Sequence, residues 1–191
     1  MAGWGKSWKQ WLSRRLRSRR VQLILAVASV LLAAFCLVSA LLFVFPVTGM
    51  PARVDAIVVL GGEGGRLDLG VQLAQEDKAS YLVLSRGLPL IPPNICTGHV
   101  GPAKVICFKP NPDTTQGEAE GASRIARKYG WTSLVLVTTQ DQVWRAHLRF
   151  QRCYSGEIYS VAVPIPWYSW PYAILYQWAG TAKAEIYQRG C

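Results

Sequence analysis

From Val21 to Phe45 the chain reads VQLILAVASVLLAAFCLVSALLFVF, apolar almost throughout and without a charged residue. At 1.5 Å per residue, a helix of this length crosses a hydrocarbon core of roughly 30 Å. Two readings fit, an uncleaved membrane span and a cleaved signal sequence. The run far exceeds the roughly 7–15 apolar residues of a signal's central region, which favours the span, although Val38–Ala40 imitates a cleavage site. The preceding residues hold Lys6, Lys9, Arg14, Arg15, Arg17, Arg19 and Arg20 and no acid. Basic flanks stay in the cytoplasm. The expected topology is therefore a single pass through the plasma membrane, with the N-terminus cytoplasmic and the C-terminal domain extracytoplasmic. Protease added to intact cells should digest that domain.

This division also locates the charge. The formal net charge is +10, from 21 basic and 11 acidic residues. Removing the seven basic residues of the tail leaves 14 against 11, so the basicity is not a nucleic-acid-binding face and no nucleic acid is expected as partner. The organisation expected is a basic tail over 1–20, a span over 21–45, a breaker-rich linker over 46–53 and one domain over 54–191. The short linker keeps that domain close to the membrane surface. Outside the span lie Cys96, Cys107, Cys153 and Cys191, an even number suited to disulfides in an exported domain. Cys96 and Cys107 bracket a short loop, and closing it stabilises by roughly 3 kcal/mol in the chain-entropy model. Cys153 with Cys191 follows by elimination. A zinc site on Cys96, His99 and Cys107 is the rival reading, but it has no compact fourth ligand, and no metal is expected.

Within the domain, two periodicities alternate. Ala56–Leu60, Tyr81–Ser85, Val105–Phe108, Ser133–Thr139 and Glu157–Val163 read as buried strands. Arg66–Lys78, Thr114–Gly130, Asp141–Cys153 and Tyr172–Arg189 carry helical spacing, with Gly130 as a stop signal. The fold class is α/β: a three-layer, Rossmann-like domain with a mostly parallel sheet. Ligands in such sheets bind beyond the carboxyl ends of the strands. Gly61–Arg66, Ser85–Gly87 and Thr138–Arg145 should converge there, with the turn opening the Thr114 helix.

Each of these segments has a bland reading beside the functional one. Gly62 and Gly64 begin a dinucleotide fingerprint, but Leu67 stands where its last glycine belongs, and no P-loop Gly-Lys-Ser/Thr is present. The loop can still hold an anion on backbone N–H groups, with Arg66 adding a charged fork. Alternatively it is a strand-to-helix turn that requires positive φ. Thr115 with Glu118, and Thr139 with Gln142, have capping-box spacing, and the bland reading is that they serve only helix starts. Arg145 lies one turn into a helix whose start faces the expected site. His147 has no acidic neighbour and reads as structural. The absence of a G-x-S-x-G elbow argues against a serine hydrolase. The aromatic run Pro164–Trp178 reads as core, with Trp167 and Trp170 the better suited to membrane contact or a pocket rim.

DAIVVLGG followed by Arg66, then TTQGEA, then LVLVTT with a later RA, resembles the YdcF/SanA/ElyC family over about Val54 to Arg189. The cysteine-bearing loop is similar to that of its actinobacterial branch. The resemblance implies a Rossmann-like domain, often anchored by one N-terminal span, and a role in cell-envelope biogenesis, including peptidoglycan and lipid-carrier metabolism. One soluble member binds S-adenosylmethionine. Carried over by position, the family's polar site includes Gly61, Gly62, Arg66, Thr115 and Arg145, with Ser85 and Thr138 nearby. Two positions depart from the family pattern. Gln142 stands where histidine is common, and Gly117 and Glu118 replace Glu and Asn. Glutamine bonds but does not titrate, which weakens catalysis more than binding. The expected function is an envelope protein whose domain binds an anionic or nucleotide-like ligand and acts, if at all, on a phosphorylated envelope intermediate. Arg66 and Arg145 would neutralise charge there, and Glu118 would be the base. The alternatives are a non-catalytic scaffold and an S-adenosylmethionine binder. An outer location counts against the last, because that cofactor is made in the cytoplasm. No cofactor and no protein partner is specified.

Overall fold

The computed structural model describes residues 4–62, 64–88, 91–92 and 94–191, with side chains from residue 18 onward. It divides into two units, Met1–Leu41 and Leu42–Cys191. The first is a long helix, α1 (Trp4–Ser39). The basic residues called a tail are thus largely the start of this helix. The stretch Ser18–Val44 is long and apolar enough to cross a membrane, one turn earlier than the sequence boundary. It closes in a π-helical turn, Ala40–Val44.

The second unit is an α/β domain. In chain order it contains β1 (Val54–Val59), α2 (Arg66–Gln75), β2 (Ala79–Ser85), β3 (His99–Val100), β4 (Ala103–Phe108), α3 (Thr115–Tyr129), β5 (Ser133–Thr139), α4 (Val143–Cys153), β6 (Glu157–Val163) and α5 (Trp170–Ile186). The six strands lie in the order β3-β4-β2-β1-β5-β6. Every pairing is parallel except the edge hairpin β3–β4. Strands buried on both faces have to be apolar along their central positions, and Ala56–Val59 of β1 and Leu134–Val137 of β5 are so.

Alternation splits the side chains between two cores. Ala56, Val58 and Leu60 face α3 and α4, packing with Leu134, Leu136, Ala146 and Phe150. Ala119, Ala122 and Ala126 put a small-residue stripe on α3, which lets it approach the sheet closely. Ile57 and Val59 face α2, meeting Leu73, Ala74, Leu82, Leu84, Val135 and Val137. Fully burying one Val, Leu or Ile stabilises by about 1.5–3 kcal/mol, so the central strands hold the fold.

Helix boundaries shift by small amounts for local reasons. α2 stops at Gln75 rather than Lys78, because Asp77 turns to φ 56°. Gly130 does terminate α3, at φ 69°. The segment 140–142 is a 3-10 turn before α4. Both disulfides form: Cys96–Cys107 ties the loop before β3 to β4, and Cys153–Cys191 ties α4 to the chain's end. The first consumes the sulfurs that a zinc site with His99 would need.

Candidate ligand-binding cleft

The chain moves from β1 to β2 and β4 on one side, then crosses back to β5 on the other. Strand order therefore reverses between β1 and β5, where open α/β sheets form their crevice. A cleft of about 1000 Å³ lies there, lined by the glycine loop, Gly87, the first turn of α3, the Thr139–Arg145 segment and α5. Gly61, Gly62, Arg66, Thr115, Glu118, Gln142 and Arg145 all line it. Ser85 and Thr138 do not: both are fully buried beneath it.

The helix start frees two of these side chains. The N-cap of α3 is Thr114, whose hydroxyl accepts the Gly117 N–H at 3.4 Å. The capping-box reading of Thr115 and Glu118 is therefore overturned by one residue, and both turn to the cleft. Thr139 makes no capping bond either. Its hydroxyl accepts from Arg66 Nη2 at 2.9 Å, so its pairing with Gln142 fails too.

Thr115 Oγ1 accepts from Gln142 Nε2 at 3.1 Å and from Arg145 Nη1 at 3.1 Å. A hydroxyl oxygen has two lone pairs. Both are occupied, so the hydroxyl proton remains to donate. Arg145 is fixed in turn: its Nε donates to Gln177 Oε1 at 2.7 Å, and Gln177 Nε2 donates to Asp141 Oδ2 at 2.6 Å. The Tyr176 ring lies 5.5 Å from the guanidinium, within cation–π reach. Tyr176 and Gln177 were absent from the sequence-based site, and Asp141 lay inside its Thr138–Arg145 segment without being singled out. The signal for the α5 pair was Gln177 itself, a lone amide inside the apolar run YAILYQWAG.

The glycine loop serves another purpose than expected. Gly61 N–H donates to Glu118 Oε1, and Gly62 N–H donates to Gly87 O at 3.1 Å. These two N–H groups are spent inside the protein and do not cradle a ligand. Arg66 also folds back, donating through Nη1 to Gly61 O and through Nη2 to Thr139. Gly62 sits at φ 111°, and a Cβ there would meet Arg66 Nη1 at 2.9 Å. The glycine is required because the guanidinium packs against its backbone. Arg66 is thus a buried clamp on the loop that brings positive charge to the cleft floor, not an extended fork.

Glu118 lies opposite, almost fully buried. Burial pushes its carboxyl above the usual range, against hydrogen bonds from Ser85 and Gly61 and the charge of Arg66, with Asp113 adding to the rise. Among the described lining residues, Arg66, Arg145, Arg149 and Lys183 face Asp113, Glu118 and Asp141, four cations to three carboxylates. Aimed donors, rather than net charge, are what this cleft offers an anion. His147 lies outside the lining. It is half-buried on α4, and burial lowers its pKa.

A pH prediction follows from Glu118. Its raised pKa means that the native state holds the proton at a pH where the unfolded chain has released it. Stability then falls as pH rises from the ordinary carboxyl value of about 4.3 through the raised one. Glu118→Gln removes this dependence and keeps an acceptor for Gly61 N–H. The variant is expected to melt higher than wild type at neutral pH, with the gap closing in acid. Parallel melting curves across pH would refute the assignment.

The aromatic run is not core. Trp167, Tyr168 and Tyr172 are 83%, 69% and 72% exposed, and the two tyrosines rim the cleft. Trp170 is half-buried. Comparison with protein-family models, with curated proteins and with solved structures gives no match for this chain.

Proposed function

We propose that the chain is a membrane-anchored protein of the cell envelope whose extracytoplasmic domain binds an anionic, phosphate-bearing or nucleotide-like ligand in the cleft between β1 and β5. One observation carries the reading. Thr115, with both lone pairs filled, and Arg145, held by Gln177, offer hydrogen-bond donors at the switch point of the sheet. A ligand group seated there has to be an acceptor, and an oxyanion suits it best. The apolar helix and the two disulfides support an anchored domain outside the cytoplasm. The motif resemblance to the YdcF/SanA/ElyC family supports the envelope role and, as substrate class, a phosphorylated envelope intermediate.

Binding without chemistry is the second reading, and Gln142 favours it. This side chain holds Thr115 but cannot take a proton. If chemistry occurs, Glu118 is the base, because it is the carboxylate whose pKa is raised on the cleft wall. An S-adenosylmethionine site is a third reading, whose cationic sulfonium would face two guanidiniums.

The test is thermal stabilisation of the full chain in detergent, disulfides intact, by inorganic phosphate, nucleotides, sugar phosphates, polyprenyl phosphates and S-adenosylmethionine. Stabilisation by the phosphates is expected, and turnover of any of them would decide for an enzyme. Indifference to every anion, or a response to S-adenosylmethionine alone, would overturn the reading.

A further inference from the structure

α5 is apolar on both of its sides, yet the domain covers only one. Ala173, Gln177 and Ala184 are buried against it. The outward stripe carries Tyr172, Leu175, Tyr176 and Ile186, exposed by 51% to 72%, with Trp167 just ahead at 83% and Tyr187 just after at 82%. Scattered exposed apolar residues need no explanation, but a continuous stripe does. A helix that is apolar all round is normally covered all round.

The chemistry of the stripe indicates what covers it. Four of these six side chains are Trp or Tyr, whose apolar bodies and polar tips suit the headgroup level of a bilayer. Lys183 lies on the same stripe and can extend to the headgroups. The single carboxylate of α5, Glu185, is ion-paired with Arg152 at 2.9 Å. The residues that follow the first unit also meet this helix. Phe43, in the last turn of Ser18–Val44, packs edge-on against Trp178 of α5 with ring centroids 5.5 Å apart. Val44 O accepts a hydrogen bond from Gln140 Nε2. Phe43 and Val44, which open the α/β domain, are thus held by α5 and by the turn at Gln140.

We propose that the outer stripe of α5, headed by Trp167, rests in the headgroup region of the membrane that the apolar helix crosses. Because Tyr172 and Tyr176 belong both to this stripe and to the cleft lining, the cleft mouth opens at the lipid surface. The proposal rests on the anchoring part of the functional reading and is independent of what the cleft binds.

The test uses the full chain in nanodiscs of phosphatidylcholine and phosphatidylglycerol, with and without brominated acyl chains. Wild-type tryptophan emission minus that of Trp167→Phe isolates the Trp167 component. Tyr172→Trp adds a second reporter by gain. Both components should be quenched by brominated lipid and shielded from aqueous iodide. Quenching by iodide alone would place the stripe in water and overturn the proposal. Insensitivity to both quenchers would also overturn it, by showing a protein cover, and two chains per disc would identify that cover as a second copy. A chain that fails to stay with the discs through an alkaline carbonate wash would refute the anchoring itself. The phosphate titration, by contrast, can fail without touching this result.

Discussion

An Arg145→Ala chain is expected to bind the anionic ligand about 30-fold more weakly or worse, since truncating one partner of a buried charge pair costs about 2 kcal/mol or more. The guanidinium reaches the cleft from α4, where Gln177 and Thr115 hold two of its N–H groups. Those bonds fix its plane, and its remaining donors have no reorganisation to undergo when a ligand arrives. Arg145→Lys keeps the charge but loses the planar fork, so it should recover only part of the affinity. Calorimetric titration of phosphate or nucleotide into the three chains at two salt concentrations checks this. Equal affinity in wild type and Arg145→Ala would remove Arg145 from the site.

Arg66→Ala is the less clean experiment. Both of its Nη atoms bind the protein itself, at Gly61 O and Thr139 Oγ1. Its loss would release the glycine loop as well as remove a charge, and stability would fall together with binding. The two arginines that looked equivalent in sequence are therefore held differently, Arg66 by the glycine loop and Thr139, Arg145 by Thr115 and Gln177 on the cleft wall.

Much of the sheet could be read from sequence because each central strand is a continuous β-branched apolar run, a pattern that a strand buried on both faces demands. The convergence of the glycine loop, Thr115 and Arg145 followed from that topology. Finer placement did not follow, for local reasons. Thr114–Thr115 and Thr138–Thr139 are adjacent pairs in which either member has the chemistry of a cap. Only the path of the incoming chain selects Thr114 for the cap and leaves Thr115 free. The glycine loop's N–H partners were out of reach for a different reason: Glu118 lies 57 residues from Gly61. The contribution of α5 was hidden in the same way, with Gln177 lying 32 residues from Arg145 and 36 from Asp141. Gly180 belongs to this hidden set, since a Cβ there would meet Arg145 Cδ at 2.9 Å. The two-residue β3 is too short for any periodicity to reveal it.

Gly117→Ala is expected to destabilise the domain by about 3 kcal/mol, although helix propensity alone predicts a gain of about 1 kcal/mol. Gly117 lies in the first turn of α3, and a Cβ on it would stand 1.9 Å from Pro112 O and 2.8 Å from the carbonyl carbon of Asn111. Both neighbours are backbone, so no rotamer change relieves the clash. Pro112 O also accepts the Thr114 N–H at 2.8 Å, and Gly117 N–H is the group that Thr114 caps. Displacing the 111–113 segment therefore strains the turn and loosens the cap, which alone contributes about 1 kcal/mol. The fall in melting temperature should be roughly 6–12 °C for a chain of this size. Gly130→Ala is the control: its φ of 69° strains an alanine, but nothing lies within 4 Å of the added carbon, so its cost should stay near 1 kcal/mol. Asp113, in the displaced segment, lines the cleft, so ligand affinity should drop along with stability. Equal melting of Gly117→Ala and wild type would mean that 111–112 does not close over α3.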